Sequence, residues 1–237
     1  MKKKLKLISA ILINACLLSV MSCGKDSGGT KNTTLVTQEE QEQDDQGVYR
    51  AVLLPLNSEV AGTTTGTVEI RIEGDDFSVE SSVAGAPAGV KHFQNIMMST
   101  SCPDMSVDKN ADGLIDFKEA LSLTGPILIP LDSDLNTQLD GMSYGPIANS
   151  AGIYVYRRST TLSQILSDLG ALDPDPTDLV TKLPLGQNLN LSGRVILIHG
   201  VRSSEKLPDS VATVGEASRE LMLPIACGKL VRVNSEG

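Results

Sequence analysis

Thr67-Val68-Glu69-Ile70-Arg71-Ile72-Glu73 is followed by Gly74-Asp75-Asp76 and then by Phe77-Ser78-Val79-Glu80. Apolar and polar side chains alternate on both sides of the Gly/Asp turn. That period of two marks a strand with one face in a core and the other in water. Working outward, Val48-Tyr49-Arg50-Ala51-Val52-Leu53-Leu54 is rich in β-formers and stops at Pro55. Further strands are predicted over residues 127–129, 152–157, 194–199 and 229–233. Short strands separated by Gly, Pro and Asp turns predict an antiparallel sandwich or barrel, an all-β fold. One helix interrupts the series. Thr160 or Thr161 can cap it, Leu162, Ile165, Leu166 and Leu169 share a face, and Gly170 is placed to stop it. Asp173-Pro174-Asp175-Pro176 behind it reads as a connector.

The N-terminus has a different character. Lys2, Lys3, Lys4 and Lys6 precede a mostly apolar stretch from Leu7 to Met21. At about 15 residues it is shorter than the about 20 that a spanning helix needs, so residues 1–22 read as a signal peptide. Val20-Met21-Ser22-Cys23 resembles a lipobox, which implies lipidation of Cys23. Gly24 behind it implies outer-membrane sorting by the enteric rule. Residues 23–46 carry Gly, Thr, Gln and acids without apolar periodicity and read as a tether. Residues 47–237 are long enough for one domain with a substantial core.

The whole chain has formal charge −9 from 20 basic and 29 acidic residues, and four of the lysines lie in the leader. An acidic surface repels phosphate backbones, so a nucleic-acid partner is not expected. With no Trp, three Phe and four Tyr, aromatic platforms for sugars or bases are nearly lacking. Cysteine usage points outside the cytosol. Cys16 leaves with the leader and Cys23 takes the lipid, so Cys102 and Cys227 remain as one possible pair in an oxidising compartment.

The most specific chemistry is Asp108-Lys109-Asn110-Ala111-Asp112-Gly113-Leu114-Ile115-Asp116-Phe117-Lys118-Glu119. It matches the twelve-residue EF-hand loop at each diagnostic position. Asp108, Asn110 and Asp112 offer side-chain oxygens at alternate positions, and Gly113 permits the sharp turn. The Leu114 carbonyl is the backbone ligand, Asp116 acts directly or through water, and Glu119 is the bidentate carboxylate. Hard oxygens in this number suit Ca²⁺. Cys102-Pro103 leaves no room for a long helix before the loop, and residues 117–123 allow about two turns after it. With no second EF-hand, the loop reads as a lone structural site and not as a sensor.

Near the C-terminus, Arg194-Val195-Ile196-Leu197-Ile198-His199-Gly200 and Leu223-Pro224-Ile225-Ala226-Cys227-Gly228-Lys229-Leu230 resemble segments of copper/zinc superoxide dismutases and of the related chordin-type (CHRD) lipoprotein domains. In that family a strand ends in a metal-binding His, and an Ala-Cys-Gly stretch carries the intrasubunit disulfide. The partner cysteine follows a His-x-His strand, which places Cys102 after His92-Phe93-Gln94-Asn95-Ile96-Met97. The resemblance covers residues 47–233 in outline. It implies an eight-stranded Greek-key sandwich closed by Cys102–Cys227, with the lone EF-hand loop inserted where the zinc loop would stand.

The dismutase chemistry does not transfer. The family uses a set of histidines and an aspartate, one histidine bridging two metals, whereas this chain has two histidines. Asn95 and Met97 stand where His-x-His would fall. His199 matches a ligand position and His92 lies just outside one, a remnant transition-metal site at most. A soft copper site would need His92, Met97, Met98 and His199 to converge. Residues 195–200 also resemble the strand-His-Gly of an α/β-hydrolase, but no Gly-x-Ser-x-Gly elbow follows. His199 then reads as a strand-end imidazole held by hydrogen bonds. The expectation is an envelope-anchored, calcium-binding lipoprotein with a degenerate dismutase-like domain and a structural or binding role, without catalysis and without copper or zinc. The alternative is a copper-binding or residual dismutase-type metalloprotein. The membrane, through the lipid on Cys23, is the one partner the sequence names.

Overall fold

The alternation around Gly74 produces a hairpin, with strand β2 (Thr65–Glu73) laddered to β3 (Asp76–Ala84) from Thr65↔Ala84 to Glu73↔Asp76. Val68, Ile70 and Ile72 of one strand and Phe77, Val79 and Val83 of the other are buried on the same side. The preceding strand β1 (Gly47–Pro55) pairs with β2, turns Tyr49, Ala51 and Leu53 inward and is followed by the short helix α1 (Ser58–Ala61). The computed structural model describes residues 45–135, 145–171, 183, 187–214 and 217–233. The leader 1–22, Cys23, the tether as far as residue 44 and the connector Asp173-Pro174-Asp175-Pro176 lie outside the described residues. Among the described residues no helix is long and apolar enough to cross a membrane.

After β3 come β4 (Gln94–Met97), β5 (Ile127–Pro130), β6 (Tyr154–Thr161), β7 (Val195–His199), β8 (Pro224–Lys229) and β9 (Val231–Val233). Among the described residues these form one curled antiparallel sheet in the order β5-β4-β7-β8-β1-β2-β3-β6, with β9 paired to the start of β1. β1 joins the two halves. Its first residues ladder to β2 and β9, while Leu54 and Pro55 pair with Cys227 and Ala226 of β8. The curl has a physical cause, because Ile70 and Val79 on one half and Ile96, Ile196 and Ile198 on the other share one apolar cluster. A flat sheet would leave those faces apart and wet.

β4, β5 and β7 are buried at every residue, which needs cover on both faces. The second cover is a smaller cluster of Met97, Val107, Ile115, Phe117, Ala120, Ile127, Val195, Leu197, Met222 and Cys227. Its roof is the segment 105–124. A 3₁₀ turn (Met105–Val107) leads into the acidic loop, and helix α2 (Phe117–Thr124) leads out of it. Cys102 and Cys227 are disulfide-bonded across 125 residues, tying the roof to β8. Closing a loop that long contributes about 5 kcal/mol in the chain-entropy limit.

Several elements differ in extent from the sequence pattern. The strand expected over 152–157 is β6, shifted toward the C-terminus, because Asn149 Oδ1 accepts the Ala151 and Ile153 amides and holds a turn there. The helix expected to stop at Gly170 is α3 (Leu162–Ala171), which passes through it. Thr161 Oγ1 accepts the Gln164 amide and Asp75 Oδ1 accepts that of Ser163. The strand expected over 229–233 is two strands interrupted at Leu230, which bonds across to Gly193 and Arg194 instead. Two four-residue helices, Ser58–Ala61 and Arg219–Met222, were not legible as periodic segments. Asp45, read as tether, is buried, and its carboxylate accepts the amides of Leu189 and Asn190.

Candidate functional site

The loop between Val107 and α2 is organised by its own acids. Asp108 Oδ1 and Oδ2 accept the amides of Asp112 and Gly113 at 3.3 and 3.0 Å, and Asn110 Oδ1 accepts that of Asp112 at 2.9 Å. Asp112 Oδ1 accepts the Leu114 amide at 2.9 Å. Short acidic side chains favour such local bonds to backbone over helix or sheet. Gly113 has φ +84° in the middle of the turn, a conformation that side chains with a Cβ disfavour. At the far end Asp116 caps α2. Its Oδ1 accepts the Glu119 amide at 2.8 Å while Glu119 Oε2 accepts the Asp116 amide at 3.1 Å, a reciprocal capping box. Glu119 Oε1 also accepts the Lys109 amide at 2.9 Å, so the last residue of the loop reaches back to its start.

Leu114 and Ile115 drop into the two clusters beneath, and Asp116 and Glu119 are buried with them. Burying carboxylates is costly unless they are bonded. The capping box meets part of that need. A second segment meets more of it, since Ala212 donates its amide to Asp116 Oδ2 at 2.8 Å and Ser210 donates its hydroxyl to Asp112 Oδ2 at 2.6 Å. Asn110 Nδ2 donates in turn to the Ser210 carbonyl at 3.3 Å. From the other side comes Asn57, between β1 and the Ser58–Ala61 helix. Its Oδ1 accepts the Ile115 amide at 2.8 Å, and its Nδ2 donates to the carbonyls of Ile115 and Pro224 at 2.8 and 2.9 Å. Neither Asn57 nor Ser210 stood out in the sequence. They lie 58 and 98 residues from their partners, and single polar residues in turns carry no pattern.

The donor set expected from the sequence is a hard one. It comprises Asp108, Asn110, Asp112, the Leu114 carbonyl, Asp116 and Glu119, all oxygen and mostly carboxylate, which fits Ca²⁺. Among the described residues these carboxylates accept from the loop's own amides and from Ser210 and Ala212. No group of three or more His, Cys, Asp or Glu among the described residues is gathered closely enough to hold a metal ion.

The two histidines are neighbours in the fold, but their rings pack against different partners. His92 stacks on Tyr154 at 5.3 Å, within the larger cluster. Its Nδ1 faces the His199 carbonyl at 3.0 Å and its Nε2 the Pro87 carbonyl at 3.1 Å. Burial holds its pKa below the usual imidazole value, although both carbonyls pull the other way. The His199 ring packs edge-on to Phe117 at 5.0 Å, in the smaller cluster. The expectation that hydrogen bonds hold His199 is overturned. Neither ring nitrogen has a partner among the described residues, because the strand carries the ring into an apolar layer. That burial pushes its pKa down to about 3. Met97 is fully buried in the same layer, and Asn95 beside it in β4 pairs with Leu197 and Pro130. Met98 turns instead to Arg194, its sulfur 3.4 Å from Nη1. Compared with protein-family models and with curated proteins, the chain matches none.

Proposed function

We propose that this chain is an envelope-anchored lipoprotein whose dismutase-like β-domain is stabilised by one calcium ion in the loop Asp108–Glu119, with a structural or binding role and no catalysis. The observation that carries the reading is the loop itself. Six oxygen donors stand at EF-hand spacing, with backbone amides ordering the acids and a capping box joining the last two. The Greek-key reading draws support from the sheet order, in which β3 neighbours β6 and β4 neighbours β7. Such non-sequential neighbours are what Greek-key connections produce. The Cys102–Cys227 bond fits the same resemblance. The leader and Cys23 support the anchor.

When bound, calcium supplies a positive charge that offsets the mutual repulsion of the loop carboxylates. Extracellular modules of this kind bind at about 10⁻⁴ to 10⁻³ M, so at millimolar calcium the site is half filled or more. Chelation of the full chain in detergent is therefore expected to lower its Tm, and Asp108→Ala with Glu119→Ala to remove the difference. A double variant that responds to chelator like the parent would sink the reading. Elemental analysis of the same preparation tests the alternative, copper at His92 and His199. Calcium without copper is the expected result, and superoxide dismutation by copper-loaded protein would overturn the non-catalytic assignment.

A further inference from the structure

The peptide at the eighth residue of the loop sets the direction of the donors on either side of it. In this chain that residue is Ile115, between the backbone donor Leu114 and the acids Asp116 and Glu119. Its N–H and C=O are both taken by one side chain, since Asn57 Oδ1 accepts from Ile115 N and Asn57 Nδ2 donates to Ile115 O, each at 2.8 Å. A carboxamide bonded to both polar groups of one residue copies a strand neighbour, which exchanges the same two bonds with its opposite in an antiparallel ladder. The third bond, from Nδ2 to the Pro224 carbonyl at 2.9 Å, ties the arrangement to β8. Asn57 reaches this place through a left-handed backbone, φ 49° and ψ 39°. Asparagine tolerates that conformation better than most residues. An asparagine in that conformation, with three side-chain hydrogen bonds directed at two distant segments, is performing a positioning task.

We propose that Asn57 is a positioning residue for the loop cation, reaching the loop from the turn after β1. It touches no ion. It fixes the peptide that separates the Leu114 carbonyl from Asp116 and Glu119, so less of the loop has to be ordered when a cation binds. Outer partners of metal ligands are commonly worth ten- to a hundredfold in affinity. The inference rests on the calcium reading above.

The test is calorimetric titration of the full chain in detergent with calcium chloride. Asn57→Gly is the informative variant, because glycine accepts the positive φ and only the carboxamide is lost. The expected result is a calcium Kd raised about tenfold or more, with a calcium-free Tm that falls less than the calcium-loaded Tm. A structural role alone would lower both Tm values equally and leave Kd unchanged, and that outcome overturns the proposal. If Asn57→Gly does not fold, Asn57→Asp keeps the acceptor for Ile115 N–H and loses both donor bonds. The same weakening is expected of it, and a parental Kd overturns the proposal. A parent that binds no calcium overturns the calcium reading and this inference together. A parent that binds, with variants that bind equally well, overturns only the role of Asn57.

Discussion

At the residue scale, the His199 ring lies edge-on to Phe117 with both nitrogens unbonded among the described residues. Leaving a buried polar group without a partner costs about 1–3 kcal/mol. His199→Leu, which fills the space with carbon, is expected to keep or raise the urea midpoint of the full chain. The titration gives a second readout. Unfolded, the ring takes a proton near 6.5, and folded only near about 3. Between those values the unfolded state binds more protons, so stability falls as pH is lowered through the window, by at most about 1.4 kcal/mol per unit. His92, also lowered, adds in the same direction. His199→Leu should therefore flatten the pH 6.5 to 5 dependence without abolishing it. A variant with the parental slope would show that His199 stays neutral in neither state or both. The sequence flagged this histidine by resemblance, yet its isolation was illegible, since nothing local says which side of an all-buried strand meets a donor.

At the element scale, exposure helped legibility without being required for it, since β5 and β7 are buried throughout and were still read as short apolar runs. β1, β2 and β3 were readable because one face meets water and the period of two survives. β8 was not read as a strand from Pro224, because Pro224-Ile225-Ala226-Cys227-Gly228 is buried throughout and shows no alternation. Within the acidic loop the turn at Gly113 was legible, since the bonds around it run between residues a few places apart. Its docking on Asn57 and Ser210 was hidden, since those bonds are long-range. The disulfide belongs to this scale too, for it fastens the roof segment to β8. Replacing Cys102 and Cys227 together by Ser is expected to cost about 2–5 kcal/mol in urea denaturation. An unchanged midpoint would mean that the roof holds without the bond.

At the scale of the whole molecule, the two halves of the sheet meet where β1 passes from β2 and β9 to β8. Gly228 sits at that junction. A Cβ there would fall 2.6 Å from the Val52 carbonyl oxygen, a backbone atom that cannot swing aside. Gly228→Ala is expected to force β8 off β1 and to cost about 1–3 kcal/mol, read as a lowered Tm of the full chain. A parental Tm would mean that the halves are not coupled through this contact. The strand order itself could not be read from the chain. It depends on which apolar faces share a cluster, and that is a property of the closed sheet.

The smaller apolar cluster carries one more consequence. Val195, Leu197, Met97 and Ile127 form a dry wall whose shelter from water is a short acidic roof. Under the calcium-bound reading proposed above, withdrawal of calcium would lift that shelter, and the hidden wall would become an adhesive surface. Depletion would then show first as dye uptake and clumping of protein molecules, before any loss of strand signal.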